Sequence, residues 1–248
     1  MKPSDFASDF SDIRGQDAAV LDVARSVIAG VGVHLVGPPG VGKIMIARRV
    51  PSLLPPLDDH ARAWLSAEYL GIGMPVRPTE RPFRAPHHTV SSAALVGSSW
   101  IARDLDVCRC RGRVAHQFHD LPRLPVPRAG ELQLARFGVL LLDEVHDFAL
   151  ATLDALCEAR YRMHCAPLII ATSIPCPCGW LGSDVRRCEC SALARERFDH
   201  RVRAALARLP GLDTVPVISQ SIADARALPP GRTSAELREA VLAEAPRG

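Results

Sequence analysis

Residues 37–44 read Gly37-Pro38-Pro39-Gly40-Val41-Gly42-Lys43-Ile44, and no other stretch restricts the possible folds so tightly. The first seven have the spacing G-x-x-x-x-G-K. In that pattern glycines let backbone N–H groups curl around phosphate oxygens at the start of a helix, and a lysine ammonium completes the grip. The mechanism needs a strand before the loop and a helix after it. Val31-Gly32-Val33-His34-Leu35-Val36 reads as the strand, and Ile44-Met45-Ile46-Ala47-Arg48-Arg49 as the helix. The pattern's eighth position requires Ser or Thr, whose hydroxyl holds Mg²⁺. Here it is Ile44, which has no atom to offer a metal.

The basic residues support the same reading. Of 30, all but Lys2 and Lys43 are arginine, so the bias against lysine spared the phosphate loop. A compact ammonium on a flexible stem fits between phosphates where a planar guanidinium does not.

With 248 residues, the chain can hold one large domain or two small ones and bury a substantial core. A hydrophobic content of 48% with few aromatics suits an Ala/Val/Leu-rich α/β protein. A net charge of +3 is too mild to imply nucleic-acid binding by itself. No apolar run approaches the ~20 residues that span a bilayer, and the opening MKPSDFASDF lacks a signal-peptide core. The expectation is a cytoplasmic protein without a membrane partner.

Apolar periodicity predicts a helix over 16–29, then the loop strand and helix, closed by Pro51. A helix is expected over 58–69, and a Gly/Pro/Arg-rich loop with at most one short strand over 71–90. Residues 98–128 carry Arg and Pro without a sustained period and read as a surface insertion. A short helix at 131–136 leads to a strand over 137–142, then a helix at 149–163 and a strand at 167–172. A cysteine-rich loop at 175–190 precedes an Arg-decorated helix at 191–209, a strand at 214–218 and a helix at 234–243. Strands alternating with helices predict an α/β fold, a parallel sheet flanked by helices. The core is placed at 9–218 and a tail at 219–248.

Leu140-Leu141-Leu142-Asp143-Glu144 is an apolar strand ending in two acids. A parallel strand delivers side chains at its carboxyl end to the crevice where ligands bind. There Asp143 can support Mg²⁺, and Glu144 can orient and polarise a water. Alone, such a run reads more readily as a strand followed by a solvated helix cap; beside a phosphate loop it reads as a site.

Taken in order, these segments resemble the magnesium-chelatase-like AAA+ ATPases, the YifB/ComM group. The resemblance is carried by Phe10-Ser11-Asp12-Ile13-Arg14-Gly15-Gln16, the phosphate loop, Arg81-Pro82-Phe83-Arg84-Ala85-Pro86-His87-His88, Gly130-Glu131-Leu132 and the strand ending at Glu144. Its most specific part is Pro175-Cys176-Pro177-Cys178-Gly179-Trp180-Leu181-Gly182 with Arg186-Arg187-Cys188-Glu189-Cys190. It implies a P-loop NTPase (AAA+) core that takes ATP or ADP with Mg²⁺, assembles into rings and is related to machinery that remodels DNA. It also implies a helical lid, expected here to be missing or only begun within 219–248. Two positions depart from the family: Ile44 at the metal hydroxyl, and Ile174 where the family carries a polar Asn. Arg208 is the candidate for the arginine that acts across a subunit interface, in surroundings that depart from the family's. The resulting expectation is a nucleotide-binding module with weak or lost hydrolysis. The alternative is a non-catalytic interaction module or decayed fragment that pairs with a full-length relative.

Cys176, Cys178, Cys188 and Cys190 form C-x-C-x₉-C-x-C, either a zinc site or a set of reduced thiols in a stiff loop. Cys108, Cys110, His116 and His119 read as incidental residues of a solvated loop. His87 and His88 face either a nucleotide, a neighbouring subunit or their own loop. Arg195, Arg197, Arg201, Arg203 and Arg208 form either a DNA-facing stripe or a solvated helix face.

Overall fold

The computed structural model describes residues 9–74, 79–97, 129–218 and 227–244. The stretch read as an insertion, with Cys108, Cys110, His116 and His119, lies outside the described residues. Among the described residues five strands form one parallel sheet: β1 (Gly32–Val36), β2 (Phe83–Arg84), β3 (Val139–Leu142), β4 (Leu168–Ser173) and β5 (Leu212–Pro216). Their order is β2-β3-β4-β1-β5. From β1 the chain crosses to the far edge at β2, returns strand by strand to β4, and then places β5 outside β1.

The apolar runs become strands buried on both faces because side chains alternate. On β3, Val139 and Leu141 join Val33, Leu35, Ile170 and Val215 in one core. Leu140 and Leu142 join Ile169 and Ala171 in the other. The first core is covered by α1 (Asp17–Ile28), α2 (Lys43–Arg49) and a C-terminal helix, numbered α8 below (Ser234–Glu244). The second is covered by α4 (Ser92–Val96), α5 (Glu131–Leu134), α6 (Leu150–Tyr161) and α7 (Ala192–Leu206). Helix α3 (Asp59–Gly71) is capped by Asp58, whose side chain accepts from the Ala61 amide, and buries Leu65 beside Leu57.

Two local outcomes differ from the sequence reading, and the helix expected near the end of the chain forms as α8. Strand β3 starts at Val139 because Phe137 adopts φ +63°, which cannot continue a strand, and a Cβ on Gly138 would collide with the Pro82 carbonyl. Helix α4 arises where no helix was expected, capped by the Ser91 hydroxyl, which accepts from the Ala94 amide. In the tail, α8 docks on the core through buried Leu237, while Arg238 donates to the Leu53 carbonyl and Arg25 pairs with Glu244.

Candidate functional site

All five strands run the same way, so their carboxyl ends share one edge of the sheet, and the loops leaving β1, β3, β4 and β5 meet there. The phosphate loop leaves β1. Its glycines are needed for different reasons. Gly40 (φ +77°) and Gly42 (φ +96°) occupy left-handed conformations in open space, so backbone freedom alone selects glycine there. Gly37 has ordinary backbone angles, but a Cβ would strike the Val217 carbonyl of the segment leaving β5. Gly42 caps α2, its carbonyl accepting from the Ile46 amide at 2.9 Å. The loop therefore ends on a helix whose free N–H groups face the β1 edge.

Lys43 opens α2 and is buried. Its ammonium donates to the carbonyls of Gly37 at 2.6 Å and Pro38 at 2.8 Å, which folds the side chain back over the loop. Burial lowers its pKa, and the charges of Asp143 and Glu144 oppose that shift. Both acids are therefore close enough to act on the Lys43 charge. Alternation places Asp143 on the Val139–Leu141 side, the face that α2 covers. Ile44 presents its side chain to solvent, 41% exposed.

Thr172, at the end of β4, organises the acids. Its fully buried hydroxyl donates to Asp143 Oδ1 at 2.5 Å and accepts from the Glu144 amide at 2.9 Å. Glu144 is held at φ +52°, a left-handed conformation that costs a non-glycine residue on the order of 1 kcal/mol. Such strain is retained at sites where the surroundings over-determine the backbone. The sequence reading missed Thr172; the one available sign was a hydroxyl closing an otherwise apolar run. It also assigned no role to Gln16, which is buried beside the loop. Its amide donates to the Ile218 carbonyl at 2.9 Å and the Val41 carbonyl at 3.5 Å, and its Oε1 has no partner among the described residues.

Ile174 follows β4 and lies near the loop: a Cβ on Gly179 would sit 2.7 Å from Pro39 Cδ and 3.9 Å from Ile174 Cγ2. Arg208 donates to the Ala204 carbonyl at 2.6 Å and pairs with Asp154 of α6 at 3.0 Å, and none of these partners belongs to the phosphate loop. His87 and His88 stack with ring centroids 4.1 Å apart, His87 bonds Thr89, and His88 meets the Phe148 edge, a loop-packing arrangement. Arg84 forks onto Glu131 at 2.6 and 2.8 Å and ties β2 to α5. Arg195, Arg197, Arg201 and Arg203 are exposed on α7, with Arg203 paired to Asp199.

The four cysteines after β4 converge. Their sulfurs all lie within 4.8 Å of one another. The Trp180 amide, with further amide and thiol donors, lowers the Cys178 pKa to about 6. The Cys178 amide favours the Cys190 thiolate, but burial and the neighbouring thiols outweigh it and push that pKa up to about 12. No helix among the described residues is long and apolar enough to cross a membrane.

The profile of a protein family described as magnesium chelatase, subunit ChlI, matches residues 9–115 and 124–213. The match runs into the 98–128 stretch from both sides, leaving 116–123 unmatched. The uncharacterized protein YifB of Escherichia coli K12 is 28% identical over 274 residues, covering 98% of this chain and 47% of YifB. Competence protein ComM of Haemophilus influenzae is 35% identical over 158 residues, covering 60% of this chain and 25% of ComM. The chain thus spans less than half the length of these relatives. A structure of the complex between magnesium chelatase subunits BchI and BchD matches with a TM-score of 0.50 at 16% identity, covering 96% of this chain and 67% of that one.

Proposed function

This chain belongs to the magnesium chelatase subunit ChlI family and has a P-loop NTPase fold, and from that premise we propose that it is an AAA+ module that binds ATP or ADP while hydrolysing weakly or not at all. One observation carries the reading: Gly40 and Gly42 lead in left-handed turns to Lys43 at the head of α2, within electrostatic reach of the Thr172-anchored acids. Phosphate oxygens suit this loop because they would take the Lys43 ammonium from the Gly37 and Pro38 carbonyls and receive the free N–H groups of the helix start. The Oε1 of Gln16, unpaired among the described residues, supplies an acceptor at the loop's margin, suited to an amino group of a base.

The metal fits less well. Asp143 can support Mg²⁺ and Glu144 can orient a water, but Ile44 and Ile174 stand where hydroxyl and amide groups are needed. Catalysis of phosphoryl transfer is almost wholly positioning and charge stabilisation. Losing one preorganised polar group at such a site costs roughly 10²–10³ in rate, and two are replaced here. We extend the proposal to assembly with other copies or with a longer relative, in keeping with a fold shared with BchI, a subunit that forms a complex with BchD.

Calorimetry and thermal shift with ADP and ATP, each with and without Mg²⁺, test the reading. At nucleotide about 100-fold above Kd, binding should add about 2.7 kcal/mol, or roughly 5–11 °C in Tm. Lys43→Ala should abolish the shift. Mg²⁺ should change wild-type affinity little, whereas Ile44→Thr should make it Mg²⁺-dependent. A folded wild type indifferent to millimolar ADP and ATP refutes the proposal.

A further inference from the structure

The loop between β4 and α7 brings two C-x-C pairs together from opposite ends. Cys176 and Cys178 follow the exit of β4, and Cys188 and Cys190 precede the Ser191 cap of α7. The Sγ separations are 3.4 Å for Cys176–Cys178, 3.7 Å for Cys176–Cys188 and 3.6 Å for Cys178–Cys188. A disulfide would need about 2.05 Å. Sulfurs at the corners of a tetrahedron around one ion, with metal–sulfur bonds of about 2.3 Å, stand about 3.8 Å apart. A multinuclear cluster would spread its four thiolates over several metal atoms and hold them further apart than these are. The spacing therefore suits a single ion, and four soft thiolates around a closed site select zinc.

The surroundings are those of ligands. The Leu181 amide donates to Cys176 Sγ at 3.3 Å and the Cys178 amide to Cys190 Sγ at 3.4 Å, the outer contacts that orient metal-bound sulfur. Cys176, fully buried, has no route to act as a solvent-facing thiol. The same turn touches the phosphate loop. Gly179 is left-handed at φ +81°, donates its amide to the Cys176 carbonyl at 2.8 Å, and presses on Pro39 so closely that a Cβ would lie 2.7 and 2.9 Å from its ring carbons.

We propose that Cys176, Cys178, Cys188 and Cys190 hold one structural zinc ion, and that this ion clamps the turn that walls the phosphate loop at Pro39. Loading replaces the remaining thiol protons, which pass to solvent, with four zinc–sulfur bonds; the metal stays divalent and nothing is oxidised. The clamp on the phosphate loop rests on the nucleotide-binding reading. The metal site does not.

Zinc is measured by elemental analysis of the purified chain without nucleotide. Cys188→Ser and Cys190→Ser should each lose one equivalent relative to wild type, and Cys157→Ser, outside the cluster, should keep it. Should the serine variants fail to fold, wild type stripped by a chelator and reloaded with Co²⁺ should show the visible bands of a tetrahedral tetrathiolate. Stripped protein should also lose part of its ADP-induced rise in Tm. Zinc-free protein that gives no such cobalt spectrum overturns the site, as does zinc that survives both serine substitutions. Iron in place of zinc overturns the identity of the ion. Zinc present, with an ADP response unchanged by its removal, overturns the clamp.

Discussion

Thr172→Val tests the idea that one buried hydroxyl sets the acidic half of the site. The hydroxyl donates to the Asp143 carboxylate at 2.5 Å and accepts from the Glu144 amide at 2.9 Å, with no solvent access of its own. A hydrogen bond to a charged group contributes about 1.5–3 kcal/mol and one to a neutral amide about 1 kcal/mol. Asp143 is only half-buried and recovers part of its loss from water, so its contribution belongs at the low end of that range. The Glu144 amide loses its acceptor while the backbone is held in a left-handed conformation. The expected destabilisation is about 2–3 kcal/mol, equivalent to about 4–12 °C in Tm for a chain of this size. Thr172→Ser keeps the hydroxyl and removes one methyl, which should cost about 1 kcal/mol. Urea unfolding of the three proteins, with Tm read in parallel, ranks them wild type, then Ser, then Val. A valine variant within about 0.5 kcal/mol of wild type, or more stable than the serine variant, refutes the role given to this hydroxyl.

Two other outcomes follow from particular contacts. His34 is buried on β1 against Ser173 (2.8 Å) and Thr214 (3.4 Å), and burial, reinforced by the nearby His146, pulls its pKa from 6.5 down to about 4. The unfolded chain therefore binds the proton first: stability is intact above pH 6.5 and falls as pH drops, levelling off near pH 4 after a loss of about 3 kcal/mol. Urea midpoints of His34→Gln should show a shallower fall than wild type from pH 7 to 4.5, and parallel curves would contradict this. The Gly97 and Gly130 backbones touch, since a Cβ on Gly130 would collide with the Gly97 amide, so the chain leaves and re-enters the core at one point. Replacing residues 98–128 with a short Gly/Ser linker should change stability by no more than about 2 kcal/mol, because loop closure varies slowly with length. Loss of cooperative thermal unfolding in that variant would show that the segment supports the core.

Local physics made much of this molecule readable in one dimension. The runs ending at Leu142 and Thr172 are continuously apolar because a parallel strand is covered on both faces, and both became β3 and β4. Gly40, Gly42 and Lys43 could be placed because a left-handed turn feeding a helix requires those residue types in that spacing. The two acids at 143 and 144 were legible because a strand's last residues face the edge where the loop sits. Other features were invisible because their causes lie far away along the chain. Gly37 is needed on account of the Val217 carbonyl, and Thr172 matters on account of Asp143 and Glu144. The late start of β3 where Gly138 meets Pro82, the docking of α8 on α1 and the approach of the cysteine turn to Pro39 are likewise contacts between distant segments. Periodicity and backbone preference are encoded residue by residue, so the chain alone determined most of its strands and helices and the glycine-rich turn at 37–43. Which strand lies beside which, and therefore which hydroxyl, thiol or carbonyl meets that loop, depends on closing long stretches of chain around a shared core, and only the tertiary structure decided it.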